Sequence, residues 1–301
     1  MNAQTSCKFD GINLASRRIL RPAHQRWRSC ICYGIIEVGA RLFAFGALFL
    51  YSVFDKAFVL AQETATSPLS TLTAKQFFQR IDSAQPTVAV FDCDGTLWAG
   101  DAGVGFMKWT MDTGLLSREA SNWLDAQYRA YLRGEVPELA ICGEMVQIYR
   151  DLREAEVREA AHTFFESEIR PHIFPEMSEL CDQLRKKNVT LWAVSSTNNW
   201  LIEDAVRDFG IPADRVLAAT VRSVNGIVTD ELIDVPTDEG KAASLTRRGI
   251  PNPDAVFGNS IHDAAMLAIA KHPFVVNPTV ALSELAVVEG WPVFQPRLAN
   301  A

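Results

Sequence analysis

Val88-Ala-Val-Phe-Asp-Cys-Asp-Gly-Thr-Leu-Trp98 runs from four apolar residues straight into two aspartates, one residue apart, and a glycine. An apolar run of this length, closed by a polar, Gly-containing turn, predicts a buried strand over 87–91 that ends at the carboxylates. Just upstream, Thr73 to Ser83 has helical spacing, with Phe77, Phe78 and Ile81 on one side. Downstream the pattern returns. Val189-Thr-Leu-Trp-Ala-Val194 predicts a strand, Ser195 to Asn199 a polar loop, and Trp200 to Phe209 a helix. Arg215 to Val221 and Val228 flank Asn225-Gly226, a dipeptide favoured in tight hairpin turns, and Lys241 opens a helical stretch. Ala255-Val-Phe-Gly258, Ile261 to Ala270 and Phe274 to Val276 repeat the alternation once more.

Strands alternating with helices imply an α/β fold, a Rossmann-like three-layer sandwich with a mostly parallel sheet. In such sheets ligands bind beyond the carboxyl ends of the strands, where each polar loop just named falls. Between the Asp92 and Ser195 loops the pattern is helical throughout, with helices expected at Trp109–Thr113, Arg118–Leu132, Pro137–Tyr149 and Glu154–Ile169. The expected organisation is a catalytic core over 73–100 and 185–301, with an inserted all-helical cap over 101–184.

The first seventy residues differ in kind. Arg17, Arg18, Arg21, Arg26, Arg28 and Arg41 precede the apolar run Leu42 to Phe54, the order of a basic region and a hydrophobic region in a signal peptide. The run is shorter than the ~20 apolar residues a spanning helix needs. Residues 1–61 are therefore expected to be a signal peptide cut after Ala61, and the protein to be exported, periplasmic or secreted. The competing readings are an N-terminal membrane anchor and a translation start set too far upstream. Residues 62–72, rich in Thr and Ser, read as a linker.

With a net charge of -7 and no block of Lys or Arg after residue 41, the chain lacks an electrostatic footprint for nucleic acid. A small-molecule partner is expected instead. The six cysteines, Cys7, Cys30, Cys32, Cys93, Cys142 and Cys181, have neither zinc-site spacing nor the density of a disulfide framework, and are expected to be free thiols.

Two carboxylates at a strand end suit phosphate-ester chemistry. Such esters are so inert that enzymes supply accelerations up to about 10²¹-fold, beyond the reach of a single general base. Asp92 can attack phosphorus and divide the reaction into formation and breakdown of an aspartyl phosphate. Asp94 can protonate the leaving oxygen and later take a proton from water. Gly95 permits the sharp turn between them and the rest of the loop.

Asp92-Cys-Asp-Gly-Thr96 resembles the first motif of the haloacid dehalogenase superfamily of hydrolases. Three further motifs follow in the family's order: Ser195 at the end of a second strand, Lys241 in Glu239-Gly-Lys-Ala-Ala243, and the acidic loop Gly258-Asn-Ser-Ile-His-Asp263. The resemblance implies Asp92 as nucleophile and metal ligand, Asp94 as acid/base with its carbonyl on the metal, and Ser195 and Ser196 on the phosphate. It implies that Lys241 steadies Asp92 and the phosphoryl group, and that Asp263 binds the metal directly or through water. Three carboxylates and a phosphate dianion against one lysine call for a cation, and Mg²⁺ is the one implied. Asn259 departs from the family, which usually holds a carboxylate there. Either Asp263 takes over as the principal acidic ligand or metal affinity falls. His262, in the same loop, either faces the site or, as the more ordinary outcome, is solvated or caps a helix.

An acid at the second position, Asp94, fits a phosphatase, since a halide leaving group needs no proton. The helical insert is similar to the cap of the phosphoserine phosphatase branch. Asp101 lies where those enzymes carry a Glu that contacts the substrate amino group, so phosphoserine or another amine-bearing ester is implied. The bland alternative is that Asp101 caps the helix beginning near Ala102. Trp109, Tyr128, Arg129 and Tyr131 either line the pocket or simply pack. Two other functions stay open: a catalytically weak phosphate-ligand binding protein, and a phosphotransferase of the same fold.

Overall fold

The computed structural model describes residues 71–297. The expected signal peptide or anchor, and the linker up to residue 70, lie outside the described residues. In chain order the elements are β1 (Thr71–Leu72), α1 (Ala74–Ala84), β2 (Val88–Phe91), α2 (Ala102–Asp112), α3 (Arg118–Leu132), α4 (Glu138–Gln147), α5 (Glu154–Phe164) and α6 (Pro175–Lys186). Then follow β3 (Thr190–Asn198), α7 (Asn199–Ala205), β4 (Val216–Val224), β5 (Ile227–Asp234), α8 (Glu239–Arg247), β6 (Ala255–Gly258), α9 (Ala264–Ala268), β7 (His272–Val276), α10 (Val280–Glu289) and β8 (Val293–Phe294).

The strands form one sheet in the order β1-β8-β7-β6-β2-β3-β4-β5. Every pairing is parallel except β4 with β5, a hairpin that turns at Asn225 and Gly226, both at positive φ. Successive residues of each central strand feed opposite faces. Ala89, Phe91, Leu191, Ala193, Ala255 and Phe257 enter one buried cluster, while Val90, Val194 and Val256 enter another. Both faces are covered, which is why these strands read as unbroken apolar runs. Phe91 stacks on Phe257 at 4.5 Å between ring centroids and Phe257 on Phe274 at 5.1 Å, so a ladder of rings crosses β2, β6 and β7. Phe77 of α1 packs edge-on against that ladder.

Several boundaries differ from those expected. Thr71 and Leu72 belong to the sheet rather than to a linker: they pair with Val293 and Phe294, and the half-buried Leu72 packs on the main cluster. The first helix of the insert begins at Ala102, not Trp109, because Asp101 caps it by accepting a bond from the Val104 amide at 2.8 Å. The stretch Ser195 to Asn198 is strand, not loop, with an irregularity in its register to β4 that accommodates the polar residues. Ile261–Asp263 forms a 3₁₀ turn ahead of α9, which ends at Ala268. Within 101–184, α6 packs on β3, α2 on both β3 and α5, and α4 on α3 and on β3, β4 and β5.

Candidate active site

Three neighbouring strands deliver the site. Phe91 of β2 is level with Ala193 of β3 and with Phe257 of β6, so Asp92, Ser195 and the loop after Gly258 leave the same edge of the sheet. Asp92 continues the ladder by one bond, its amide donating to the Phe257 carbonyl at 2.9 Å. β2 is the strand from which the order departs in both directions, toward β3 and toward β6, which is the switch point where open α/β sheets bind ligands.

Lys241, on α8, joins the two outer acids. Its Nζ donates to Asp92 Oδ1 at 2.7 Å and to Asp263 Oδ1 at 2.5 Å, and all three side chains are buried. Thr96 Oγ1 donates to Asp92 Oδ2 at 2.9 Å. The charges do not balance: two buried carboxylates share one ammonium. Burial, then the neighbouring Asp263, push the Asp92 carboxyl up to about 7 against the opposing pull of Lys241. Burial also opposes the Lys241 charge, but Asp263 and Asp92 outweigh it and hold the ammonium above the usual lysine range.

Asp94 is half-buried and held from three sides. Trp98 Nε1 and the Ala102 amide donate to its Oδ1 at 2.8 and 2.7 Å, and Thr197 Oγ1 to its Oδ2 at 2.7 Å. A carboxylate has about four lone-pair sites, so one remains for proton exchange. Burial raises its pKa while those three donors lower it, with a net upward direction that suits a proton donor near neutral pH. Cys93, between the two acids, is free and buried, and burial pushes its thiol far up, out of reach of reaction. Cys142 and Cys181 are free as well.

The expected site residues fall into two groups. Asp92, Lys241 and Asp263 are directly bonded. Asp94 connects through Thr197 to Ser195, whose Oγ accepts the Thr197 amide at 3.1 Å. Ser196 is half-buried and lines a separate cavity of about 220 Å³ that Thr197 and Asp101 also line. Asp101 thus both caps α2 and faces this cavity. Protein crowded around its carboxyl, then the charges of Asp94 and Glu138, push it up to about 6, although the residue still reaches solvent. Tyr128 and Tyr131 line the same cavity, whereas Trp109 packs on Phe106 and Phe164, and Arg129 pairs with Asp125 on the surface. A larger cavity of about 580 Å³ lies elsewhere, against Trp123, Glu144 and Asp230, and includes none of the Asp92 cluster.

Asp263 is expected to bind the metal directly or through water. It has no solvent exposure; Lys241 occupies its Oδ1, and the amides of Asn259 and Ser260 each donate to its Oδ2 at 2.9 Å. These bonds hold Lys241 and shape the loop from Asn259 to Asp263. Among the described residues no three His, Cys, Asp or Glu side chains converge as a ready-made metal site. The oxygen donors that would hold a cation are the Asp92 carboxylate, the Asp94 carbonyl, the Asn259 amide and, directly or through water, Asp263. That set fits Mg²⁺, which keeps several waters and takes one or two carboxylates together with substrate oxygens. His262 is partly exposed, and its Nδ1 lies 2.7 Å from Asp238 Oδ1.

Gly95 has φ +73°, and a Cβ there would fall 1.9 Å from Asn259 Nδ2. Glycine is required twice over, for the left-handed backbone and for the Asn259 amide that lies against it. Gly95→Ala is expected to lower kcat/KM for a phosphate ester by about 100-fold, the effect of displacing a site group by ~1 Å. Steady-state kinetics check it, and a variant within twofold of the parent would show that Asn259 can move freely.

Thr96, Trp98 and Thr197 were not singled out by sequence. Thr96 alone carried a usable signal, since it closes the Asp92-Cys-Asp-Gly-Thr96 motif.

The chain matches the family described as haloacid dehalogenase-like hydrolase over residues 89–268. It is 25% identical over 219 residues to a histidinol-phosphatase of Neisseria meningitidis serogroup C (strain 8013), covering 68% of this chain and 97% of that protein. Among solved structures, a protein from Bordetella pertussis Tohama I superposes with a TM-score of 0.63 at 22% identity, covering 69% of this chain and 97% of that one. A probable phosphoserine phosphatase from Vibrio cholerae superposes with a TM-score of 0.51 at 15% identity, covering 67% of this chain and 59% of that one. At these identities the two structures are evidence of a shared fold.

Proposed function

The chain belongs to the haloacid dehalogenase-like hydrolases, and from that premise we propose that it is a Mg²⁺-dependent phosphatase acting on a small, amine-bearing phosphate monoester, the class of phosphoserine and histidinol phosphate. The observation that carries the reading is the Asp92 carboxylate fixed between Lys241 and Thr96, with a second acid, Asp94, two residues on. A hydrolase of halides has no use for that second acid.

In the proposed reaction an oxygen of Asp92 attacks phosphorus, and the bond from phosphorus to the alcohol oxygen breaks. Asp94 gives its proton to the departing alkoxide. A water then attacks the aspartyl phosphate, Asp94 takes its proton, and the bond from phosphorus to Asp92 breaks to release inorganic phosphate. Lys241 holds Asp92 in line and offsets charge on the phosphoryl group, while Ser195, within β3 and two residues past the Ala193 that pairs with Phe91, bonds a phosphate oxygen. Mg²⁺, when bound, would add two positive charges and polarise the phosphoryl group. The amine preference is supported by Asp101 in the cavity beside Asp94, and by the histidinol-phosphatase likeness. Release of inorganic phosphate from p-nitrophenyl phosphate, present with Mg²⁺ and lost in EDTA, tests the reading. No release at any Mg²⁺ concentration overturns it.

The charge surplus gives a second check that needs no substrate. The folded pKa of Asp92, about 7, stands above its unfolded value of about 3.8. Its contribution to stability is therefore fully present below about pH 4 and is lost as pH rises through 7. A cation at Asp92 relieves that loss. The rise in melting temperature on adding Mg²⁺ is expected to be larger at pH 8 than at pH 5.5, and an equal rise at both would place the cation away from Asp92.

A further inference from the structure

The cavity beside Asp94 is acidic and has no basic wall. Thr197 links it to the reacting groups, donating to Asp94 Oδ2 while lining the cavity itself. Asp101 and Glu138 face it from the first turns of α2 and α4, and Tyr128 and Tyr131 of α3 close one side. Among the described residues no lysine or arginine lines it. Lys108 lies over the Tyr128 ring at 5.9 Å but is not one of the lining side chains.

Glu138 is the group left incomplete. Its Oε1 accepts a weak bond from Cys142 Sγ at 3.4 Å, while its Oε2 is buried with no partner at full hydrogen-bond geometry, the Tyr131 hydroxyl being the neighbouring donor that acts on the carboxylate. His262 Nε2 stands 3.9 Å from that oxygen, too far to bond, and the other ring nitrogen of His262 is turned to Asp238. A buried acceptor without a donor is destabilising, and more so when it is charged. A cavity that retains one is short of a donor that a ligand can bring.

We propose that Glu138 is a specificity-determining residue which, together with Asp101, selects phosphate esters of amino alcohols that carry a second nitrogen donor and no carboxylate, and rejects phosphoserine. This rests on the phosphatase reading and narrows its substrate. Phosphoserine brings an ammonium, which Asp101 can take, but also a carboxylate on the same carbon. In this cavity that carboxylate meets Glu138 with no lysine or arginine to offset either charge, and like charges brought together oppose binding. An amino-alcohol phosphate bearing an imidazole or second amine does the reverse. Its ammonium meets Asp101, its other N–H supplies the donor missing at Glu138 Oε2, and a flat cation can lie against the tyrosine faces.

The test compares kcat/KM for histidinol phosphate, phosphoethanolamine, phosphoserine and p-nitrophenyl phosphate in the full chain with Mg²⁺. Histidinol phosphate is expected to exceed phosphoserine by about 100-fold or more, with phosphoethanolamine between them. In Glu138→Gln the ratio of histidinol phosphate to phosphoserine is expected to shrink by about tenfold, chiefly through KM, whereas loss of a merely structural residue would lower both substrates alike. Glu138→Asp, which keeps the charge, is expected to keep the order of substrates. Turnover of phosphoserine equal to or better than histidinol phosphate, or an unmoved ratio in Glu138→Gln, overturns the inference while leaving the phosphatase reading intact. Failure to hydrolyse any ester, p-nitrophenyl phosphate included, removes the phosphatase reading and this one with it.

Discussion

Asp92→Asn is expected to abolish phosphate release, by about 10⁴-fold or more, without loosening the fold. The amide is nearly the same size and can still accept the Thr96 hydroxyl, but it has no charge with which to attack phosphorus. Stability should move the other way. Burial and the adjacent Asp263 already disfavour the charged form of Asp92, and Lys241 keeps its bond to Asp263 when the first carboxylate is gone. One ammonium and one carboxylate then remain in balance. The melting temperature at pH 8 should therefore be equal to or above that of the parent, and the gap should close toward pH 5, where Asp92 of the parent takes up its proton. The required measurements are phosphate release and thermal melts on the same preparation. Activity above about 1% of the parent would assign the nucleophile elsewhere. A large fall in melting temperature would mean that the Asp92 charge supports the fold, against the raised pKa.

The parts of this site that sequence revealed are those with a local cause. β2, β3 and β6 are covered on both faces, so Val88 to Phe91, Leu191 to Val194 and Ala255 to Phe257 are apolar at successive positions and stop where the polar groups start. Asp92, Ser195 and the Gly258 loop inherit their places from those strand ends. What escaped is what depends on partners distant in the chain. Thr197 reaches Asp94 across 103 positions, and nothing in Ser195-Ser-Thr-Asn198 says that β4 will run beside it and keep it extended. The spacing from Gly258 to Asp263 locates the acid but not the direction in which its oxygens are spent: inward, on Lys241 and two loop amides. Asp101 could be read either as a cap or as a ligand contact, and the fold makes the choice unnecessary, since the residue that ends β2's loop is also the first to overlook the cavity.

Lys241→Met is expected to be the most damaging single change in the protein. It removes the only ammonium bonded to Asp92 and Asp263 among the described residues and leaves two buried carboxylates facing each other. Breaking a buried pair by deleting one partner costs about 3–5 kcal/mol, because the charge left behind is uncompensated. For a domain of this size each kcal/mol shifts the melting temperature by about 2–4 °C, so a fall of about 6–20 °C is expected at pH 8. The pH dependence follows from the sign of the shift. With Lys241 gone, the Asp92 carboxyl loses its main opposing influence and its folded pKa moves further above the unfolded value. The protonated form is the one folding favours, so the stability is present in acid and drains away as pH rises through the raised folded pKa. The variant should recover most of its deficit near pH 5. A double variant, Lys241→Met with Asp263→Asn, separates charge from shape: removing one of the stranded carboxylates should restore a large part of the lost stability while activity stays absent, since Asp92 still lacks its positioning partner. If the double variant is no more stable than Lys241→Met alone, and the deficit is the same at pH 5 and pH 8, the lysine holds the site by packing its aliphatic stem rather than by charge.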